Sequence, residues 1–327
     1  MKTFSLLLLA TLLLTIFYSQ EPAELQEAST LTETATKLFN QGKYAEAISP
    51  AKRALELREK LLPRTDPRVA SALSNLGEIY LGKKDYKPAR EVFLRLLQIQ
   101  EEVFGPEDVN LVFTLDRLAV IYFVGGNFEE TEAAYKRSLA LREKSLGVDD
   151  PQVGEVWFAL GEFYRYRRKL EPAVASYKRA LTIYGKRSID SAEFERTSDG
   201  FACLGYDHRK PELFKELTAI RKQLAGPDGP KDPEPGMVLN GRAIELPQPS
   251  YPAEAQQRRL MGMIVVKVEI DETGKVIKAT DMCQGLPYLS EAAVAAAWKA
   301  RFTPTKLSGM PVKVKGVIQY NFTRRFR

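Results

Sequence analysis

The side chains that most often carry enzyme chemistry are scarce in this sequence of 327 residues. There is one histidine, His208, and there are two cysteines, Cys203 and Cys283. Zinc sites, histidine-based acid–base pairs and Cys-x-x-Cys redox centres all need more of these residues at closer spacing. Carboxylates are plentiful, but most fall where amphipathic helices face water. The sequence therefore predicts no catalytic residue, no cofactor, no metal site and no enzyme.

The two cysteines have two interpretations. Cys203 and Cys283 lie in different segments of the chain, and they can form one interdomain disulfide in an oxidising compartment. Free cysteine is also among the most frequently buried small side chains. We favour the second interpretation, in which both are small buried residues without a bridge.

Internal repeats organise the region from residue 27 to residue 187. Equivalent residues recur at intervals of 42 in several series, among them Ala47, Ala89, Thr131 and Ala173; Gly77, Ala119 and Gly161; and Tyr80, Tyr122 and Tyr164. Small residues permit close helix approach, and large ones fill the groove between helices. The pattern resembles tetratricopeptide repeats of the 42-residue kind found in kinesin light chains. The resemblance implies an all-α solenoid of four helical hairpins, closed by capping helices at 188–225.

Three of the predicted hairpins are preceded by an aspartate. Asp66, Asp108 and Asp150 stand in the loops between hairpins, and Pro67 and Pro151 follow two of them directly. Aspartate is favoured at a helix N-cap because its carboxylate accepts a hydrogen bond from the first free N–H groups, and proline suits the first turn. We therefore expect these three aspartates to cap the next helix.

The concave groove of such a solenoid is lined mainly by the first helix of each hairpin. The candidate partner-binding residues in this groove are Asn75, Glu78, Arg117, Phe158 and Glu162, with Arg165 as a further member of the same set. Asn75 resembles the asparagine that clamps peptide backbones in some tetratricopeptide repeats. The alternative is that all of these are ordinary solvated helix residues.

The last quarter of the chain has a different pattern. Hydrophobic residues alternate with polar ones in 262–270, a period of two that predicts a strand with one buried face. Gly274 follows in a hairpin connection, and a second strand is predicted at 275–282. Helical spacing then covers 289–300, and a last strand is predicted at 312–322. The sequence therefore predicts a small α+β domain with a three-stranded antiparallel sheet and one helix.

This segment resembles the C-terminal domain of the TonB family. The resemblance rests on the order and spacing of several marks: Gln248-Pro249-Ser250-Tyr251-Pro252, Gly262, Asp271 with Gly274, Trp298 with Phe302 and Pro304, and Gly309 with Pro311-Val312. Family membership implies that the last strand is free to pair with an extended peptide of an outer-membrane transporter, which is a known mode of recognition. The partner-binding residues implied are Gln248, Pro249, Ser250, Tyr251, Pro252, Val312, Val314, Ile318 and Tyr320. For Tyr251, the alternative is that it packs the chain onto the sheet.

The remaining segments predict export and a linker. Residues 1–20 begin with Met1-Lys2 and are then almost wholly apolar, as in a secretory signal peptide or a short membrane anchor. Five prolines and four glycines mark 226–247 as a stiffened linker before a TonB-type domain at 248–327. A pI near 9.1 permits nucleic-acid binding, but export and the charge of the repeats argue against it.

Together these features predict a multidomain, periplasmic envelope adaptor without enzyme activity. The TonB-type domain is expected to capture a transporter segment, and the repeats to hold a second protein. Exchange of strands between two C-terminal domains would give a homodimer. The alternative function is an envelope-assembly or peptidoglycan-linked scaffold without energy transduction.

Overall fold

A computed structural model describes residues 22–226, 242–258, 260–283, 287–307 and 309–323. The predicted leader, 1–20, and most of the predicted linker lie outside these ranges. The helices are α1 (Ala23–Asn40), α2 (Tyr44–Leu61), α3 (Pro67–Gly82), α4 (Tyr86–Phe104), α5 (Val112–Val124), α6 (Phe128–Leu146), α7 (Pro151–Tyr166), α8 (Leu170–Gly185), α9 (Ala192–Asp207), α10 (Glu212–Ala225), α11 (Ala253–Gln257) and α12 (Pro287–Ala297). The strands are β1 (Ala243–Glu245), β2 (Gly262–Ile270), β3 (Val276–Asp281), β4 (Arg301–Phe302), β5 (Lys306–Leu307), β6 (Met310–Pro311) and β7 (Val314–Phe322).

The chain divides into two compact units, residues 1–148 and residues 149–327. The first unit contains the helical hairpins α1–α2, α3–α4 and α5–α6. Asp66 accepts a hydrogen bond from the N–H of Arg68, and Asp108 accepts one from the N–H of Asn110, each at 2.8 Å. Asp66 therefore caps α3 as predicted. Asp108 caps the short 3-10 turn Val109–Leu111 that leads into α5, and α5 itself begins after Leu111 without a side-chain cap.

Close packing within the hairpins explains the repeated small residues. A Cβ placed on Gly77 of α3 would lie 2.7 Å from the ring of Phe93 on α4, and one on Gly161 of α7 would lie 2.8 Å from the ring of Tyr177 on α8. Both rings are fully buried. Since the two glycines hold the same position in their repeats, the same close approach is built twice, once in each unit.

The second unit begins with the hairpin α7–α8, and Asp150 caps α7 by accepting from the N–H of Gln152 at 2.8 Å. A further helical pair, α9–α10, follows. The sequence predicts these capping helices at 189–203 and 211–224; the first is observed to begin at Ala192 and to continue to Asp207. Ser191 accounts for the later start, because its hydroxyl accepts a hydrogen bond from the N–H of Phe194.

A three-stranded antiparallel sheet follows in the second unit, with strand order β3-β2-β7. One of its faces packs against α12, and the residues of this core include Ile264, Val266, Val268, Ile270, Leu289, Ala293, Ile318, Tyr320 and Phe322. Strand order and the position of the helix agree with the sequence prediction. The fold class, an all-α tetratricopeptide solenoid followed by a small α+β domain, is confirmed.

Several boundaries differ from the predicted ones. The last strand begins at Val314 rather than Val312, because the N–H of Val312 donates to the carbonyl of Thr305 beside the short β5–β6 hairpin. The end of the predicted linker is also not simply a spacer, since β1 pairs with β4. Short strands of two or three residues are too brief to show an alternating pattern in the sequence.

Candidate functional site

The outer edge of β7 is the first candidate surface. β2 pairs with β7 along its whole length, from Gly262 opposite Phe322 to Ile270 opposite Val314. No other strand in the described part of the chain pairs with β7. In an antiparallel strand, alternate residues direct their N–H and C=O groups to opposite sides. Half of the backbone groups of β7 therefore point away from β2, in the geometry that an added strand requires.

The side chains predicted for this edge face inward. Val314, Ile318 and Tyr320 belong to the core that packs against α12. They hold β7 in place, so any added strand would be bound by the backbone of β7 and by its outward side chains. Val312 lies before the strand, beside the β5–β6 hairpin.

The motif Gln248 to Pro252 runs along the chain before α11. The ring of Tyr251 contacts the ring of Phe322 edge-on, with centroids 5.7 Å apart, and its hydroxyl donates to the carbonyl of Leu260. Gln248 and Ser250 are exposed, whereas Pro249 and Pro252 are half-buried. Tyr251 thus packs the segment against the end of β7, and the exposed members of the motif remain accessible beside it.

The face of the sheet opposite α12 is covered as well. Val265 points to this face and is only 1 % exposed. Lys267 lies two residues after Val265 on β2 and therefore on the same face of the sheet. Its ammonium donates to Glu195 at 2.8 Å and to the two carboxylate oxygens of Asp199 at 2.9 and 3.0 Å. Both acids lie on α9, so the sheet is enclosed between α12 and α9.

The contact between β2 and α9 shifts the pKa values of the three charged side chains in it. Burial raises the pKa of Asp199 above its ordinary value, and Lys267 only partly offsets it. The hydrogen bond from Lys267 lowers the pKa of Glu195, which is more exposed. Burial opposes the charge of Lys267 itself, but the two acids outweigh it and raise its pKa. Lys267 therefore remains a cation while β2 is in contact with α9.

Cys203 and Cys283 form a disulfide, with Cα atoms 5.6 Å apart. The favoured interpretation of two unbridged buried cysteines was therefore wrong. The general tendency of cysteine to be buried does not reveal that α9 contacts the sheet directly, and this contact brings the two cysteines together. The bridge joins the middle of α9 to the chain just after β3.

One signal for this contact was present in the sequence. Asp199 stands 42 residues after Trp157, in a position where earlier repeats carry Leu73 and Leu115. Those two leucines are buried in the repeat core. An acidic residue at a core position of the last repeat-like helix indicates that this face meets something other than another repeat. Here it meets Lys267.

The predicted groove residues of the second unit lie beside the same contact. Glu162 on α7 accepts hydrogen bonds from the hydroxyl of Tyr177 and from Arg165, the latter at 2.8 Å. Arg165 is 17 % exposed at its side chain and places two guanidinium nitrogens 3.3 Å from the carbonyl oxygen of Cys283. The ring of Phe158 stacks under the guanidinium of Arg196, 4.3 Å from its centroid. Glu162 and Phe158 are thus occupied by contacts within the second unit.

The pKa of Tyr177 is raised well above its ordinary value by burial, with the negative charge of Glu162 adding to the effect. Its hydroxyl therefore stays protonated and serves as a hydrogen-bond donor. This leaves the carboxylate of Glu162 fixed between a tyrosine and an arginine. Such a cluster fixes the orientation of Arg165.

The groove residues of the first unit are arranged differently. Arg117 on α5 donates to Glu78 on α3 at 2.6 Å, and its guanidinium lies 4.8 Å from the ring centroid of Phe113. Asn75 is half-buried one turn before Glu78 on the same helix. The Arg117–Glu78 ion pair links two consecutive hairpins and stays partly exposed to solvent, with side chains that are 38 % and 29 % accessible.

The described residues contain no cluster of His, Cys, Asp or Glu that could hold a metal ion. Among the helices with described placement, none combines the length and apolarity needed to span a bilayer. Residues 1–20, where the leader is predicted, lie outside that search.

Comparison with known proteins identifies both parts of the chain. The tetratricopeptide repeat family model matches residues 26–102, 68–123 and 110–186. The model of the Gram-negative bacterial TonB protein C-terminal domain matches residues 247–323. Neither model describes an enzyme family. Among curated proteins, none matches the chain.

Solved structures resemble the helical part. A Podosopora anserina putative kinesin light chain with nearly identical TPR-like repeats is 17 % identical, with a TM-score of 0.53 over 63 % of this chain and 96 % of that chain. A variant of the same protein gives the same identity and TM-score over 62 % and 98 %. BtubC (BKLC) from P. vanneervenii is 17 % identical with a TM-score of 0.48, over 67 % of this chain and 97 % of that one. At this identity the likeness concerns the fold alone.

Tetratricopeptide repeats bind other proteins, and TonB C-terminal domains belong to proteins of the Gram-negative envelope. This chain therefore combines a tetratricopeptide repeat region at residues 26–186 with a TonB-type C-terminal domain at residues 247–323.

Proposed function

We propose that this chain is an envelope adaptor without enzyme activity, which captures an extended segment of an outer-membrane transporter along the outer edge of β7. The observation that carries the proposal is the enclosure of the sheet. α12 covers one face and α9 covers the other, so the edge of β7 is the part of the strand left for a partner. Binding there uses backbone hydrogen bonds, which an extended peptide of many sequences can supply.

The repeats of the first unit supply the second binding surface in this proposal. Asn75, Glu78 and Arg117 present an amide, a carboxylate and a guanidinium along the groove face of two consecutive hairpins. These groups can hydrogen-bond the backbone or polar side chains of a second protein. The adaptor would then hold its two partners on different units.

Export to the periplasm is part of the same proposal. A disulfide between Cys203 and Cys283 fits an oxidising compartment, since such bonds are rare in a reducing cytosol. The apolar character of residues 1–20 supports a cleaved signal peptide or a short anchor. These two observations are independent of the TonB-type resemblance.

A binding experiment tests the proposal. Synthetic peptides from the periplasmic N-terminal segment of an outer-membrane transporter are titrated into the full oxidised chain. A second set carries N-methyl groups at alternate residues, which blocks hydrogen bonding along one side of the peptide. We expect binding that is lost with one N-methylation pattern and retained with the other. Equal binding by both patterns, or no binding, would instead favour an envelope scaffold that does not engage transporters.

A homodimer through paired β7 edges is a further outcome of strand addition. Sizing of the chain with and without the peptide distinguishes it, because a peptide that occupies β7 would dissociate such a dimer.

A further inference from the structure

The second unit contains a binding site for a main-chain carbonyl, and the carbonyl of Cys283 in the same chain occupies it. Arg165 directs two nitrogens to the carbonyl oxygen of Cys283. Its guanidinium is held in place by Glu162 at 2.8 Å and by Asp207 at 3.4 Å. A guanidinium fixed by two carboxylates and aimed at a peptide carbonyl is a built binding site, in which little side-chain freedom is lost on binding.

Neighbouring contacts hold the occupant in that site. The disulfide links Cys283 covalently to Cys203 on α9. Lys267 bridges to Glu195 and Asp199 on the same helix, and Lys315 on β7 lies 3.5 Å from Glu195. The hydroxyl of Tyr206, near the end of α9, interacts with the side chain of Gln319. These contacts run along α9 from its first turn to its last.

We propose that the groove formed by α7 and α9 is an intramolecular docking site for the segment at Met282–Cys283, and that the Cys203–Cys283 disulfide locks it closed to other polypeptides. The inference rests on the proposed role of the repeats as polypeptide binders and deepens it. Of the surfaces considered among the described residues, the first-unit groove and the edge of β7 are the ones open to partners in the oxidised protein. Reduction makes the fourth repeat available as a third site.

The chemistry of unlocking is thiol–disulfide exchange with a dithiol. Cys203 is fully buried, whereas Cys283 is half-buried. A thiolate of the reductant therefore attacks the sulfur of Cys283 and expels the thiolate of Cys203, which takes up a proton. The second thiol of the reductant then attacks the mixed disulfide and releases Cys283 as a thiol. The dithiol is oxidised to a disulfide, and the protein gains two electrons and two protons.

The test uses a fluorescent synthetic peptide with the sequence of residues 281–288 and the substitution Cys283→Ser. It is titrated into the oxidised chain and into an open variant, Cys203→Ser/Cys283→Ser/Lys267→Glu, which lacks the lock and places like charges opposite Asp199. We expect at least tenfold tighter binding to the open variant. Adding Arg165→Ala to the open variant should remove that gain, whereas Arg187→Ala, which deletes an exposed arginine after α8, should retain it.

A second measurement uses the unmodified chain. Hydrogen exchange is followed in α7, α9 and the segment 281–283 with and without dithiothreitol, and faster exchange in all three on reduction is expected. Equal peptide binding to oxidised and open proteins, indifference to Arg165→Ala, or unchanged exchange on reduction would each overturn the proposal. Transporter peptides titrated in parallel report on β7 separately, so failure of this inference and failure of strand capture are distinguishable.

Discussion

Glu78 in the first unit and Glu162 in the second lie two repeat lengths apart and hold the same position in their helices. Glu78 pairs with Arg117 of the following hairpin, in a contact that solvent reaches. Glu162 instead accepts from Tyr177 and orients Arg165 toward the carbonyl of Cys283. The repeat scaffold is the same in both places. What differs is the neighbour, and the neighbour decides whether a groove carboxylate is available to a partner or serves the fold.

The residue three positions further on shows the same contrast. Leu81 and Phe123 stand in the first unit at the position that Arg165 occupies in the second. An arginine there is useful because a backbone carbonyl of the C-terminal domain lies within its reach. A repeat next to a different domain can therefore be recognised by a polar residue at a position that is apolar elsewhere in the array.

Removing the disulfide should have the largest effect, and only on one unit. A cross-link across 80 residues restricts the unfolded chain and typically stabilises by about 4 kcal/mol. Cys203→Ser/Cys283→Ser should lower the free energy of unfolding of residues 149–327 by roughly that amount. Hydrogen exchange at increasing denaturant concentration measures this loss, because it gives the free energy of unfolding of each unit separately. The first unit contains no cysteine and serves as the internal control. An equal loss in both units would contradict the division described here.

Two ion pairs test the difference between a docked face and an open groove. Lys267→Ala removes the ammonium that bridges Asp199 and Glu195 in a half-buried contact, and should cost about 2 kcal/mol of unfolding free energy. Arg117→Ala removes a partly exposed pair and should cost no more than about 1 kcal/mol. Thermal or chemical denaturation of the two variants gives the comparison. A larger cost for Arg117→Ala would reverse the assignment of which surface is buried.

Close helix approach should be equally sensitive in both units. Gly77→Ala and Gly161→Ala each place a methyl group under 3 Å from a buried ring, and we expect each to cost about 1–2 kcal/mol. The third repeat carries Ala119 at the same position, and the ring there, Tyr135, is only half-buried. Ala119→Gly should therefore change stability by no more than about 1 kcal/mol, through helix propensity. Denaturation curves of the three variants decide whether the two units share one scaffold.

The smallest expected effect concerns pH. The pKa of Glu195 is lowered by Lys267, so its stabilisation is present above its ordinary pKa of 4.5 and is lost as the pH falls through the lowered value. Asp199 has the opposite sign, because burial raises its pKa, and it also faces Arg221. In Asp199→Asn, Glu195 is the one of these two acids that still titrates. The unfolding free energy of this variant should therefore fall more steeply below pH 4.5 than that of the parent. Lys315, which also lowers the pKa of Glu195, is present in both proteins and does not affect the comparison.

Much of the fold was predictable because its determinants are local. The 42-residue spacing of Gly77, Ala119 and Gly161 indicates helix packing within a hairpin, and the alternation in 262–270 indicates a strand with a buried face. The aspartate caps follow from the same local rules. Such signals need no knowledge of distant residues.

The arrangement of the second unit was not predictable in the same way. The partners of Cys203 and Lys267 are separated from them by dozens of residues, and a stretch rich in proline and glycine intervenes. Composition predicts that this stretch is a linker but says nothing about whether the domains beyond it touch. Asp199 and Arg165 were two residues whose types conflicted with their repeat positions. Candidate sites chosen from the repeat pattern alone therefore included Phe158 and Glu162, which the structure shows engaged in internal contacts.

In the proposed function, the outer edge of β7 accepts an added strand from a partner. Amide hydrogen exchange of residues 314–322, measured on the oxidised chain before and after addition of a transporter peptide, tests it most directly. We expect slower exchange at every second amide, those that point away from β2, while the amides already paired with β2 stay unchanged. No slowing, or slowing confined to residues 248–252, would contradict it.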